Sequence, residues 1–269
     1  MSNGPTGPPC RLGGSTVVAV EEPSVIQIDL LGPEAKNLWT LTLELAQALG
    51  PEREWSLIGG LMVQLHGLEH GDELRPTVDI DLLGAARKPP AMTEEIAALI
   101  SDRGAKVSMP SRSNPGVGYR FELDGETVEI LGPDGLKSDP KTLGKLTTIQ
   151  VAGGSQALQR TEVVPVSLGG SPPIAVRRPS LLGAVLIKAR VVAKRRKDKF
   201  DSDRQDLIRL LSYVEDPRAL ARVEELRPTE KKWLRNVERA LAFEDATLTA
   251  IFPPPVLERA QQAFRLLCV

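Results

Sequence analysis

Two carboxylates stand two residues apart in the segment Arg75-Pro76-Thr77-Val78-Asp79-Ile80-Asp81-Leu82-Leu83. Its alternation and β-branched residues predict a strand over 77–83. Residues two apart on a strand point to one face, so Asp79 and Asp81 present their carboxylates together while Val78, Ile80 and Leu82 face a core. Adjacent anions repel, and a divalent cation between them relieves that repulsion; Mg²⁺ favours one or two carboxylates plus phosphate oxygens. The plainer reading of the same pair is an edge strand with two solvated acids. Upstream, a short apolar strand over 55–58 runs straight into Gly59-Gly60 and a short helix over 61–68. Glycines at such a turn let backbone approach a phosphate closely, and a helix N-terminus favours anions. Alone, the glycine pair is an ordinary tight turn. Beside the acid pair it reads as a phosphate cradle next to a metal-holding site. Glu129, between Val128 and Ile130 in a strand over 127–131, is a third acid. It could complete a metal cluster, act as general base for an incoming hydroxyl, or be a plain surface acid.

The second half offers a cation. In a helix predicted over 180–196, Leu181, Val185, Lys188 and Val192 fall along one ridge, which puts Lys188 at the border of the apolar face. There its ammonium could meet the β- and γ-phosphates of a nucleotide, or simply snorkel to water. Asp203 and Asp206 fall in the first turn of the next predicted helix, over 202–214, where the helix dipole favours acids. Either could also orient Lys188, an adenine or ribose, or a substrate hydroxyl. Seven of the twelve residues from Lys188 to Lys199 are basic, a density suited to a polyanion such as a triphosphate or an RNA backbone. His66 reads as a packing or capping residue, since no His or Cys partners are spaced for zinc.

These residues need elements to hold them, and the chain can build them. It has 269 residues, of which 41% are hydrophobic and 26% charged, enough for a sizeable core. The charge is divided unevenly. Residues 1–176 carry 14 basic and 22 acidic side chains, whereas residues 177–269 carry 20 and 13. The front is acidic and patterned as mixed helix and strand: a helix over 33–49 closed by Gly50, a helix over 93–103, and a hairpin of 119–123 and 127–131 joined at Asp124-Gly125. Further β-like segments lie at 147–151 and 162–168. Beyond Arg177-Arg178-Pro179 the pattern is helical, continuing at 217–225, 230–242 and 255–267. The expected organisation is a disordered N-terminal tail (1–15) and lead-in through residue 30, an α/β core over 31–176, and a helical domain over 177–269. No apolar stretch reaches the roughly 18–20 residues of a membrane span. The first residues lack the pattern of a secretory signal, and two cysteines, Cys10 and Cys268, argue against a disulfide framework.

The run Trp55-Ser-Leu-Ile-Gly59-Gly60, then Leu65-His66-Gly67, then Arg75-x-Thr77-x-Asp79-Ile-Asp81-Leu resembles the nucleotidyltransferase superfamily, whose fold is shared with polymerase beta. The nearest look is to AbiEii-type nucleotidyltransferases, several of which are toxins of toxin–antitoxin pairs. Their second half carries a helix with a lysine and then a Lys/Arg-Asp-x-x-Asp-Leu segment; here Lys188 lies in Leu186-Ile-Lys-Ala-Arg190 and a degenerate form, Asp203-Arg-Gln-Asp206-Leu207, follows. The resemblance spans residues 54–131 and 179–211. It implies an α+β protein with a mixed β-sheet core followed by a C-terminal helical bundle. It implies Mg²⁺ (or Mn²⁺) on Asp79, Asp81 and Glu129, and an NTP against Gly59, Gly60, Thr77, Lys188 and Asp203. Catalysis would rest on Asp79, Asp81, Glu129, Lys188 and Asp206, moving a nucleoside monophosphate to a hydroxyl of an RNA (tRNA), a protein or a small molecule. An antitoxin partner, a cytoplasmic setting and no membrane association go with that reading. Gly60 stands where the superfamily often has Ser, and the third acid is Glu rather than Asp. Those departures keep a second class open, a binding module of the same fold without turnover. A third class is an RNA-binding protein that uses only the basic half.

Overall fold

The computed structural model describes residues 1, 24–29, 32–73, 75–108, 116–194 and 200–269, the side chain of Phe200 excepted. The predicted disordered tail, apart from Met1, lies outside the described residues, as do Cys10 and the basic residues Arg195, Arg196, Lys197 and Lys199.

The chain is an α+β protein whose strands fall in its first two thirds. In order, its elements are β1 (Ile26–Ile28), α1 (Pro33–Leu49), β2 (Trp55–Ile58), α2 (Gly59–Glu69), β3 (Asp79–Gly84), α3 (Met92–Asp102), β4 (Lys106–Val107), β5 (Arg120–Leu123), β6 (Glu126–Pro133), β7 (Gln150–Val151), α4 (Gly154–Gln159), β8 (Thr161–Leu168) and β9 (Ile174–Pro179). Among the described residues, helices alone follow: α5 (Leu181–Lys194), α6 (Phe200–Ser212), α7 (Pro217–Val223), α8 (Pro228–Arg235), α9 (Glu238–Leu241), α10 (Ala246–Ile251) and α11 (Pro254–Cys268).

The main sheet runs β2-β3-β6-β5-β4, with β7 beside β6. It is mixed: β3 lies antiparallel to β2 and parallel to β6. A smaller sheet runs β1-β8-β9. Hairpin β5–β6 turns at Asp124 and Gly125, whose φ values of 53° and 85° are the two positive angles of the tight turn that suits the twist of paired strands. That turn sets the register Arg120↔Glu129 and Phe121↔Val128. Helix α1 runs from Pro33 to Leu49 because Pro is tolerated at a first helical turn and Gly, here Gly50, is favoured just past the last.

Two apolar clusters hold these layers. One joins α1, α2, α3 and the sheets through residues such as Trp39, Trp55, Ile80 and Val128. The other is built mainly from α5, α6, α8 and α11, and reaches forward to Ile58, Met62, Val63, Leu83 and Leu131. The helical part therefore packs on the back of β2, α2 and β3, and its first helix ends up beside the acid strand. No helix among the described residues is long and apolar enough to cross a membrane.

The strand at Asp79 starts two residues later than the alternation predicts. Its ladder begins with Asp79 opposite Thr127. Val78, expected in the core, precedes the ladder and is 78% exposed, whereas Ile80 and Leu82 are buried as expected.

Under this sheet lies a buried histidine with a measurable consequence. His66 of α2 is 1% exposed and pairs through Nε2 with the carbonyl of Pro179 (3.1 Å). Burial, then the nearby charge of Arg178, depresses its pKa to about 4, against the opposing pull of Glu69. The unfolded chain therefore binds a proton between about pH 6.5 and 4 that the folded chain refuses, so stability falls as pH drops through that window. We expect about 2 kcal/mol of stability to be lost between pH 7 and pH 5 by urea unfolding. The loss should disappear in His66→Gln. An equal loss in that variant would assign the effect to other groups.

Candidate functional site

Strand β3 carries Asp79 and Asp81, both half-buried, on the face opposite Ile80 and Leu82. Parallel pairing sets Asp81 directly across from Glu129 of β6, and antiparallel pairing sets it across from Ile58, the last residue before the glycine turn. All three acids thus reach one face within two adjacent strands, which lie about 4.8 Å apart.

The glycine turn fits that face closely. Gly59 has φ +69°, a left-handed conformation, and a Cβ built on it would lie 1.7 Å from Asp81 Oδ2. A Cβ on Gly60 would lie 2.4 Å from Thr77 Oγ1 and 3.1 Å from Arg75 Nη2. Only glycines let the first turn of α2 nestle between the acid strand and the loop that precedes it. The Thr77 hydroxyl in turn leans on Asp79 Oδ1 (3.3 Å).

Across the same cavity stands Lys188 of α5, 6% exposed. Its Nζ donates to Asp206 Oδ2 (2.7 Å) and Asp203 Oδ1 (3.2 Å) on α6. Burial works against the ammonium charge, but Asp206, then Asp203 and more distantly Asp81, outweigh it and raise its pKa above the ordinary lysine value. Asp206 is 1% exposed and is shared: Arg75 Nε lies 2.7 Å from Oδ1, and Arg75 Nη2 donates to Oδ2 at 3.1 Å. Helix α6 begins at Phe200, earlier than the pattern suggests, so Asp203 is in its first turn and Asp206 in its second.

Every residue singled out for the site lines one cavity of about 340 Å³: Gly59, Gly60, Thr77, Asp79, Asp81, Glu129, Lys188, Asp203 and Asp206. Arg75, to which the sequence reading gave no role, lines it as well, with an apolar wall of Ile149, Val151, Ile187 and Val191. Arg75 sits inside the motif itself, but its partner is 131 residues away. Two larger cavities, of about 710 and 850 Å³, flank the loop around Asp72 and Glu73, and neither includes the acid pair.

The acids differ in what they can offer. Glu129 is turned toward Arg120, its cross-strand partner, whose Nε donates to Oε1 at 3.0 Å. The described residues contain no group of three or more His, Cys, Asp or Glu side chains set to hold a metal ion. Asp79 and Asp81 remain a carboxylate pair on one face, beside a helix N-terminus whose N–H groups favour anions. Two carboxylates plus substrate phosphate oxygens is the donor set Mg²⁺ commonly accepts, so the pair fits such an ion without Glu129.

The chain is therefore an α+β protein with a mixed sheet, C-terminal helices and an acid-and-lysine cleft between them. Comparison places a solved structure beside it. The chain is similar to the crystal structure of an antigenic nucleotidyltransferase-like protein from Paracoccidioides brasiliensis, at 18% identity and a TM-score of 0.41, over 76% of this chain and 94% of that one. No protein-family model matches the chain, and no curated protein matches it.

Proposed function

We propose that this protein is a metal-dependent nucleotidyltransferase that moves a nucleoside monophosphate from an NTP to a hydroxyl acceptor. The observation that supports it best is the convergence in one cavity of the Asp79/Asp81 pair, the Gly59-Gly60 turn at the start of α2, and Lys188 from the opposite wall. On this reading Asp79 and Asp81 hold Mg²⁺ (or Mn²⁺), and the bound ion supplies Lewis-acid polarisation of phosphate oxygens. Backbone N–H groups at Gly59 and Gly60 and the Thr77 hydroxyl hold the phosphates. Lys188 offsets their charge, oriented by Asp203 and Asp206. The acceptor hydroxyl attacks the α-phosphorus and pyrophosphate leaves.

Two acids were candidates to take the acceptor's proton. Asp206 already meets two side chains, Arg75 and Lys188, which suits it to orient them. Glu129 has one charged partner and sits beside Asp81, so we assign the proton to Glu129 and an orienting role to Asp206. The kinship we favour is with AbiEii-type enzymes, with a tRNA or protein acceptor, an antitoxin partner and a cytoplasmic setting. We also propose that the α/β part and the helical part act as two domains closing on the nucleotide.

Incubating the purified protein with Mg²⁺, each labelled NTP and total RNA or cell extract should transfer label and release pyrophosphate. No transfer from any nucleotide would overturn the assignment of an enzyme. A second reading has its own support: the pairing of Lys188 and Arg75 with buried acids suits a module that binds nucleotide without turnover. Thermal stabilisation by NTP with no product would favour that reading.

A further inference from the structure

We infer that Arg75 is a positioning residue for Lys188, acting through Asp206; the functional half of this inference rests on the nucleotidyltransferase reading above. Arg75 comes from the loop before β3, Lys188 from α5, and Asp206 from α6, so one carboxylate joins three separate pieces of the chain. The guanidinium donates to Asp206 once, Nη2 to Oδ2 at 3.1 Å, with Nε in ion-pair contact with Oδ1 at 2.7 Å, and its Nη1 donates to the carbonyl of Pro76 at 3.0 Å. Oδ2 thus accepts from both Arg75 Nη2 and Lys188 Nζ, the latter at 2.7 Å, so the two cations share one carboxylate oxygen.

The sharing of Asp206 gives Arg75 its purpose. Asp206 meets both Lys188 and Arg75, with Asp206 1% and Lys188 6% exposed. With Arg75 present, Asp206 divides its charge between two partners, and the ammonium keeps reach for an incoming phosphate. Without it, Asp206 turns its whole charge on Lys188 and holds the ammonium away from the cavity. The competing role is direct contact between Arg75 and the phosphate, because Nη2 also stands over Gly60. The loop does not depend on Arg75 alone. Asp72, three residues earlier, accepts from Arg209 Nη1 (2.9 Å) and the Tyr213 hydroxyl (2.5 Å), both on or just past α6. Arg75→Met therefore leaves the loop anchored.

The test is a double-mutant comparison on the full chain with two readouts. In ATP, GTP, CTP and UTP binding with Mg²⁺, Arg75→Met should weaken the best-bound nucleotide by about tenfold. Adding it to Asp206→Asn should change affinity by less than about twofold, because the path to Lys188 is already cut. An undiminished loss in the Asp206→Asn background would mean direct phosphate contact and would overturn the inference. The second readout needs no nucleotide. Melting-temperature losses of Arg75→Met and Lys188→Met should be non-additive in the wild-type background and additive with Asn at position 206. Additivity in both backgrounds would overturn the inference. If the wild type binds no nucleotide, the functional reading fails, while the melting cycle still decides whether Arg75 and Lys188 are coupled through Asp206.

Discussion

Gly59→Ala is expected to cut nucleotidyl transfer by at least about 100-fold and to lower stability by about 1–3 kcal/mol. Two costs meet at this residue. Its φ of +69° is a left-handed conformation that an L side chain adopts only with strain. The new methyl would also fall 1.7 Å from Asp81 Oδ2, far inside contact distance. Either Asp81 swings off the turn, or the turn is remade and the first N–H groups of α2 move. Both outcomes separate the carboxylate from the phosphate cradle. Gly125→Ala provides the control, because Gly125 has φ +85° and nothing within 4 Å of a built Cβ. It bears the backbone cost without disturbing the acid pair. Denaturant unfolding should place the two variants within about 2 kcal/mol of each other, and label transfer should separate them. Equal transfer in both would remove the catalytic meaning of the Gly59–Asp81 contact.

That contact was legible in the chain because it is local. A strand, a glycine turn, a helix and an alternating acid pair all fall within thirty residues, and period-2 geometry puts Asp79 and Asp81 on one face whatever the rest does. The pairing of Glu129 with Arg120 was legible in principle, since the Asp124-Gly125 turn fixes their register. Long-range features were not. Strand β1 has three residues and exists only because β8 pairs with it in parallel. Helix α4 starts where Asp134, some twenty residues upstream, accepts from the N–H groups of Gly153 and Ser155. No local pattern announces that cap. Helix α10 did carry a signal, Asp245 accepting from Thr247 N at its start, within a stretch whose mixed residues show no clear period. The helix expected over 230–242 divides into α8 and α9, with Asn236 and Val237 between them.

The uneven charge of the two parts gave a simple expectation: acids from the front to hold a metal, and cations from the back to meet phosphate. The site crosses that division. The front contributes Arg75 and Arg120 along with its carboxylates, and the back contributes Asp203 and Asp206 along with Lys188. Net charge is set mostly by solvated surfaces, whereas a buried site is balanced pair by pair. The halves are joined at this cleft by opposite charges that each supplies against its own excess.

Lys188→Met follows from that pairwise balance and should cost about 3–5 kcal/mol of stability, since removing one partner strands buried charge. Asp203 and Asp206 would both lose the ammonium they share. The methionine stem replaces most of the lysine's apolar contacts, so a cavity contributes little. The charge explanation makes a further demand. Combining Lys188→Met with Asp203→Asn removes one of the two anions the ammonium met and should recover part of the lost stability, because neutral buried groups cost less than buried charge. Nucleotidyl transfer should stay low in both variants, by about 100-fold or more, because the cation that meets the phosphates is absent from each. Urea unfolding and label transfer on the same preparations then separate the lysine's two tasks. A single variant within about 1 kcal/mol of wild type would mean the cluster is not held together by Lys188. Transfer restored along with stability would mean the lysine serves the fold and not the chemistry.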